Sequence, residues 1–480
     1  MPFNSRKITV VPGDGIGPEV VSAALKVVEA TGVGIEAEVH EAGAEAFARG
    51  IESGVPPETI ASIERTKVLL KGPLETPIGY GNKSANVTLR TLFETFGNLR
   101  PVRELPGVTT PFTGRHLDIV IVRENVEDLY TGIEYMQTPG VALALKIISR
   151  TGCEKIVELA FEFAAATGRR RVHCATKANI MKLTEGMLQH TFEEIAPRYP
   201  QIEAKHILID NCAHQLAMRP EQFDVIVTTN MNGDILSDLT SGLTGGLGFA
   251  PSANVGSEVA IFEAVHGSAP DIAGKNVANP TAIILSAAMM LRHIGEGAAA
   301  DDIEQAVLVT LESGLRSGDM AGTGKPASTT DFADAIISNL GLDSRTAASR
   351  DFRAVNIPEA SREVESVTVR ARRVTGVDVY IESRMQPEEL ADSLIAACGD
   401  TTFTLHVITN RGNTVYPAGD RTVTLVDHYR CRFMSKSRQA DVWDAEILRL
   451  LTRIGEVHIW MHVEKLQHFD GEDAFSRTQK

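Results

Sequence analysis

A chain of 480 residues is too long for one compact core, so two or three domains are expected. Its 43% hydrophobic and 23% charged residues are ordinary for a globular protein and argue against wholesale disorder. A net charge of −15 argues against nucleic acid as a partner, because a phosphate backbone needs a basic face.

Met1–Lys7 runs straight into the apolar Ile8–Val11, leaving no span for the apolar core of a signal peptide. Thr281–Leu291 is the most apolar later stretch. It ends at Arg292-His293, is too short to cross a bilayer, and reads as a buried helix. The five cysteines (Cys153, Cys174, Cys212, Cys398, Cys431) are scattered with no CxxC pair, which fits a reduced protein without a disulfide framework or zinc site. These features predict a soluble cytoplasmic protein with no membrane or nucleic-acid partner.

From Ile8 to about Leu342, short β-branched runs alternate with helical patterns, which predicts an α/β architecture. The runs include Ile8–Val11, Val68–Leu70, Ile119–Val122, Val172–Ala175 and Val225–Thr228; Val20–Thr31 and Glu154–Thr167 carry apolar residues at helical spacing. Between the first strand and first helix lies the loop Gly13-Asp14-Gly15-Ile16-Gly17-Pro18. It is not a GxGxxG fingerprint, because Pro18 stands where a glycine is needed, and it reads equally as a tight turn or a ligand loop. Ser84, Asn86 and Arg90 sit near the start of a predicted helix; Arg100 follows, and Arg123 ends an apolar strand. Guanidinium groups bind carboxylates bidentately, so three from separate segments can grip a di- or tricarboxylate. Each one alone pairs as readily with a nearby acid such as Glu94, Glu124 or Glu127. Such a cluster is what an anionic ligand would need against a net negative chain.

Arg169-Arg170-Arg171 follows a helix and reads as solvated charge near its C-terminus. Asp210 ends the strand-like Ile207–Ile209. Asp234 and Asp238 are four apart on a helix predicted to begin near Asp234, so both carboxylates share one face. Such a pair suits Mg²⁺ or Mn²⁺, or simply complements the helix dipole. Residues 343–365 are rich in Ser, Arg, Ala and Glu and read as a linker. Beyond them, Val374–Ile381, Pro387–Cys398, Phe403–Thr409, Thr422–Phe433, Val442–Ile454 and Val457–Val463 read β-α-β-β-α-β, the order of a ferredoxin-like fold.

Taken in order, VVPGDGIGPEV, KSANVTLR, RPVR, VRENVEDLYTGIE, TKANIMK, NMNGDILSDLTSGLTGGLGFAPSAN and EAVHGSAPDIAGKNVANPTA resemble the β-decarboxylating dehydrogenases of isocitrate, isopropylmalate, homoisocitrate and tartrate. The tail, with RRVTGVDVYIES and VDHYRCRF, resembles the extra domain of the longer bacterial isocitrate dehydrogenases. The resemblance implies that family's non-Rossmann fold. Residues 1–95 and 245–342 would form a large domain, and 96–244 a small domain with a dimer-forming clasp. A C-terminal α+β ferredoxin-like domain would follow at 366–480.

The resemblance also implies roles. Substrate carboxylates would be held by Arg90, Arg100 and Arg123, with Ser84 and Asn86 reading the variable group. Asp210, Asp234 and Asp238 would carry Mg²⁺ or Mn²⁺, and Tyr130 and Lys177 would be the acid–base pair. Lys177 and Asp210 would reach the site from a second subunit, so a homodimer or higher oligomer is expected. The cofactor would lie against His266, Gly267, Ser268, Ala269, Pro270, Asp271 and Ile272, with Asn279 near the adenine. Ser84 and Asn86 suit the third carboxylate of isocitrate, whereas an isopropyl group would want an apolar wall. Isopropylmalate or homoisocitrate dehydrogenase is the alternative within the family, and a non-catalytic regulatory subunit the alternative outside it. NADP-dependent relatives carry Lys-Tyr where Asp271-Ile272 stand. An aspartate there would repel a 2′-phosphate, by on the order of 4 kcal/mol at about 4 Å and an effective dielectric of 20. The expected cofactor on this reading is NAD.

Overall fold

The computed structural model describes residues 5–75, 84–320, 325–347, 352–359, 367–417, 423–437 and 441–477. Lys83, which opens the KSANVTLR motif, part of the 343–365 segment and Ala418-Gly419 lie outside them. The chain forms two compact units, 1–131 with 147–363 and 132–146 with 364–480. The predicted clasp region thus contributes its hairpin, β6 and β7 below, to the second unit.

The strands are β1 (Arg6–Val11), β2 (Ile35–Val39), β3 (Val68–Lys71), β4 (Gly97–Arg103), β5 (Asp118–Glu124), β6 (Glu134–Thr138), β7 (Val141–Ala144), β8 (Arg171–Thr176), β9 (Glu203–Leu208), β10 (Val225–Thr228), β11 (Pro251–Val255) and β12 (Ala260–Ala264). In the first unit ten of them form one sheet in the order β2-β1-β3-β12-β11-β4-β5-β10-β8-β9. Its two ends are parallel arrays, joined through antiparallel pairings of β12 with β11, β11 with β4 and β4 with β5. Central strands such as Val68–Lys71 and Val225–Thr228 are buried along their whole length, which is why they read as unbroken apolar runs.

The two sheet faces are covered differently. Helices Gly17–Ala30, Arg150–Ala166 and Thr281–His293 pack one face with Val120, Val122 and Leu99 in the core. Helices Ile209–Met218 and Asn230–Thr244 pack the other, against Ile119, Ile121 and Val102. Thr281–His293 is the buried helix the sequence predicts, and among the described residues no helix is long and apolar enough to cross a membrane. All five cysteines are buried and unpaired. Arg169 is not solvated: its side chain lies buried between Asp118 (2.8 Å) and Asp224 (2.7 Å), because the turn after the helix delivers it to the amino ends of β5 and β10.

In the second unit, β13 (Arg372–Glu382), β14 (Phe403–Asn410), β15 (Asn413–Tyr416), β16 (His428–Ser435), β17 (Ile459–Phe469) and β18 (Glu472–Asp473) form an antiparallel sheet ordered β15-β14-β16-β13-β17-β18. Leaving out the short β15 and β18, this is the ferredoxin-like order, with helices Pro387–Cys398 and Asp444–Gly455 packed on Val377, Val379 and Ile381. The strand expected from Thr422 begins only at His428. The Asn410 side chain donates to Val426 O (2.7 Å) and accepts from Val426 N (3.1 Å), which satisfies that backbone outside the ladder.

The described part of the linker is docked rather than free. Arg353 N donates to Ala166 O (2.9 Å), Ser257 Oγ to Pro358 O (2.9 Å), and the Arg292 guanidinium lies over the Phe352 ring at 4.0 Å. Val355 and Ile357 pack on the first unit's core. An extended strap makes such contacts without helical periodicity, so pattern reading misses it. Replacing Val355 and Ile357 together by Ala should lower the unfolding free energy by about 2 kcal/mol in urea titrations, given their partial burial. A free tether would leave the curve unchanged.

Candidate active site

The carboxyl ends of β5, β10, β8 and β9 lie side by side, and the residues that follow them carry the candidate chemistry. Arg123, near the end of β5, is fully buried beneath helix Asn230–Thr244. Gly233 permits that approach, since a Cβ there would run into the Arg123 side chain. Arg123 donates Nε and Nη2 to Asn230 Oδ1 (3.0 and 2.8 Å) and Nη1 to Asp234, with the Tyr130 ring 4.9 Å from its guanidinium. Arg100, on β4, bonds Ser237 Oγ (2.6 Å) and approaches Asp234 (3.3 Å) and Asp238 (3.8 Å). Tyr130 donates its phenol to the other Asp234 oxygen at 2.7 Å.

These contacts set the protonation states. Burial, with Arg123 and Arg90 nearby, pulls Arg100 down to about 10, so it stays cationic at neutral pH. Burial alone would raise Asp234, but Arg123, the Tyr130 phenol and Arg100 hold it below the usual carboxylate range. Asp238 is pushed up by burial, with Arg100 opposing and Asp234 adding to the shift. Burial and the bond to Asp234 raise Tyr130, so its phenol keeps its proton through the neutral range. The helix begins at Asn230 rather than near Asp234, which moves both aspartates out of the first turn and removes the helix-dipole explanation for them.

Arg90 is tied to a network that motif reading missed. Its Nη2 donates to Glu263 (3.0 Å), whose other oxygen pairs with the buried Lys71. Asn254 donates to the same Glu263 oxygen as Arg90 (2.8 Å) and accepts from Asn98 (2.8 Å) and Asn125 (3.0 Å). Burial pushes Glu263 up, but Lys71 and Arg90 outweigh it and hold the carboxylate ionised. The visible signal was a glutamate within the apolar run Ile261-Phe262-Glu263-Ala264, which requires a buried cation. Ser84 and Asn86 flank the start of helix Ala85–Leu92. Ser84 makes no capping bond, and Asn86 Oδ1, Arg90 Nε and Arg100 Nε are buried without a partner. The unused donors and acceptor lie on three of the predicted substrate residues, Asn86, Arg90 and Arg100.

Lys177, which follows β8, pairs with Asp210 at 3.0 Å, and that bond lowers the Asp210 carboxyl. Glu185 ties the two halves of this edge, accepting from Lys177 N (3.0 Å), Thr229 Oγ1 (3.1 Å) and Asn232 Nδ2 (3.3 Å). Asp210 opens the first turn of helix Ile209–Met218 rather than ending a strand. Among the described residues no three His, Cys, Asp or Glu side chains of one chain gather as a metal site, so Asp210 does not join Asp234 and Asp238 within it.

The loop His266–Gly274 meets the glycine loop. Ile16 N donates to Ser268 O (2.8 Å), and Gly15, at φ +59°, sits where a Cβ would strike that carbonyl. The loop at Gly13–Gly17 is therefore a tight turn whose glycines let the second loop close on it. His266 bonds the Gly267 carbonyl through Nδ1 (3.0 Å), while its Nε2 is buried without a partner; burial lowers its pKa. Asn279 donates to Asp319 (3.0 Å), Asp271 and Ile272 are exposed in a single 3₁₀ turn at Pro270–Ile272, and Lys275 Nζ lies 2.7 Å from Asp271 O.

Residues 7–336 match the family model described as isocitrate/isopropylmalate dehydrogenase. The chain belongs to that family. Residues 372–480 match the model of the bacterial isocitrate dehydrogenase C-terminal domain. "Isocitrate dehydrogenase [NADP]" of Thermus thermophilus is 60% identical over 98% of this chain and 95% of its own length. The protein of the same name from Rickettsia conorii is 40% identical over 98% of both. A crystal structure of a Thermus thermophilus protein shares the fold with a TM-score of 0.95 at 59% identity, covering 100% of this chain and 97% of that one.

These relatives overturn the expectation of NAD, since the dehydrogenases that match along nearly the full chain are named for NADP. The geometry supplies a reason. Asp271 is exposed, so solvent screens its charge more than the dielectric of 20 assumed from sequence, and Lys275 places a cation on its backbone carbonyl.

Glu124, beside Arg123, offers a test of the site's electrostatics. Burial pushes its carboxyl up from 4.5 to about 7, against the Val126 and Glu127 backbone N–H groups that bond it. The folded chain therefore holds this proton where the unfolded chain has lost it. Its contribution to stability is full below about pH 4.5 and is lost as pH rises through about 7. Glu124→Gln should abolish that decline, a difference on the order of 3 kcal/mol between the two pH values in paired denaturation curves.

Proposed function

We propose that the chain is an isocitrate dehydrogenase that oxidises the hydroxyl-bearing carbon of isocitrate and releases CO₂ to give 2-oxoglutarate, with NADP and a divalent metal. The observation that carries the reading is the convergence of Arg100 and Arg123 on Asp234, with Arg90 close enough to depress both arginines electrostatically. Three guanidinium groups so placed suit a substrate with several carboxylates. The Ser84 hydroxyl and the Asn86 amide N–H can donate to its third carboxylate, whereas an alkyl group would want an apolar wall.

Asp234 and Asp238 would hold Mg²⁺ or Mn²⁺ together with Asp210 of the partner subunit; hard carboxylate oxygens fit such a cation. His266, with an unpartnered buried nitrogen, Asn279 and the loop through Lys275 would hold NADP. When bound, the metal supplies Lewis-acid polarisation of the substrate oxygen, and NADP accepts the hydride. Arg90, Arg100 and Arg123 orient the carboxylates and shed their remaining hydration as they do so. The neutral amine form of Lys177, from the partner subunit, takes the hydroxyl proton, and the neighbouring Asp210 keeps its Nζ in place. Tyr130, protonated at neutral pH, returns a proton to the substrate carbon that has lost CO₂. The setting proposed for this chemistry is the cytoplasm.

Steady-state kinetics of the full chain should show isocitrate preferred over isopropylmalate and homoisocitrate, with kcat/KM higher for NADP than for NAD. Activity should vanish in excess chelator, and Asp234→Asn should lower kcat by about a hundredfold or more. A preference for isopropylmalate would overturn the substrate assignment.

A homodimer with shared sites makes a separate prediction. Lys177→Met and Tyr130→Phe chains, each nearly inactive, should regain up to about a quarter of wild-type activity after subunit exchange, because half the chains enter heterodimers with one intact site of two. No recovery despite proven exchange would place both residues in one chain's site.

A further inference from the structure

Strands β4 and β11 are antiparallel neighbours, with Leu99 opposite Ala253 and Asn98 opposite Asn254. Alternation along a strand sends Asn98, Arg100, Ser252 and Asn254 to the face that carries the arginines and Glu263. It sends Leu99, Pro101, Pro251 and Ala253 to the opposite face. There they floor a cavity of about 470 Å³, walled by Phe163 and Met289 from two helices and roofed by Phe352, Val355 and Ile357 of the strap. That volume lies within the range of small-molecule sites.

The rim of this cavity differs in charge from the chain as a whole. Arg103, Arg169, Arg292 and Arg353 line it against only Asp118 and Glu304, in a chain of net charge −15. Arg169 and Arg292 are held in ion pairs, but Arg292 Nε is buried without an acceptor. Arg353 is exposed on the strap and makes no ion pair among the described residues. We propose that this cavity is a ligand site, separate from the active site, for a compact molecule with an apolar body and one anionic head. The body lies on Leu99 and Ala253 beneath the strap, and the head meets Arg353 and Arg292 Nε at the rim. Because its floor is the reverse face of the strands that carry Arg100 and Asn254, occupancy shifts those side chains and alters substrate affinity.

The probe is anilinonaphthalene sulfonate, an aromatic body with one sulfonate, titrated by fluorescence into the folded full-length chain. Saturable binding of one probe per chain is expected. Ala253→Phe, which fills the floor, should weaken it at least tenfold, and Arg353→Glu, at an exposed position that folding tolerates, by about fivefold. Equal affinity in wild type and Arg353→Glu, or no saturable binding to the wild type, overturns the site. A second arm rests on the proposed activity: saturating probe should change the KM for isocitrate at least threefold with kcat within twofold. Binding without that change refutes the coupling alone, and failure of the chain to turn over isocitrate leaves the binding result intact.

Discussion

Everything in the site follows from holding three arginines close together inside a folded chain. Their mutual repulsion and the loss of their hydration must be offset by carboxylates placed among them. Two do so from different directions. Glu263 lies under Arg90 and shares itself with Lys71, and Asp234 stands between Arg100 and Arg123. Neither carboxylate is expendable structurally, yet only Asp234 also faces Tyr130 and lies one turn from Asp238. One acid therefore fixes the arginine geometry, while the other couples that geometry to the proposed metal and proton donor.

The sheet makes this arrangement possible. Its inner parallel strands, such as β3 and β10, are built from apolar runs, but at the seam β11 and β4 alternate polar and apolar side chains. The polar row, with Ser252, Asn254 and Asn98, links the arginines to buried amides rather than water. Buried amides with defined partners are stiff, so the guanidinium groups would be positioned before the proposed substrate arrives, with less entropy lost on binding. The apolar row behind it faces helices Arg150–Ala166 and Thr281–His293, and the strap crosses the same face.

Much of this was legible in the sequence. Unbroken apolar runs marked the central strands, and three- and four-residue spacing marked helices Gly17–Ala30 and Arg150–Ala166. In the tail, Pro387–Cys398 was read to the residue, because Gln386 and Glu389 form a capping box that defines its start. Arg123 stands out because an arginine at the end of an apolar strand must find a partner. Glu263 carries the same signal, but it opens a motif whose reading begins only at His266. The strap was missed for a different reason. An extended segment that docks through a ring, a backbone bond and two aliphatic side chains has no period to detect, and its Ser- and Arg-rich composition resembles that of a flexible tether.

The cofactor loop shows where a charge argument needs structure before it can be weighed. Read from sequence, Asp271 opposes a 2′-phosphate, and the size of the repulsion depends wholly on the dielectric assigned to it. Buried, as Glu263 is, such a carboxylate would dominate its surroundings. Exposed on a single 3₁₀ turn, with the Lys275 ammonium on its own carbonyl, it faces solvent and has a cation close by. The same kind of charge thus governs the arrangement at position 263 and yields to its neighbours at 271. The chain's net charge of −15 obeys the same rule, because distant exposed acids are screened over about 8 Å at physiological ionic strength. What an anion would meet in the site is two buried guanidinium groups, Arg100 and Arg123, the partly buried one of Arg90 and the few charges packed against them.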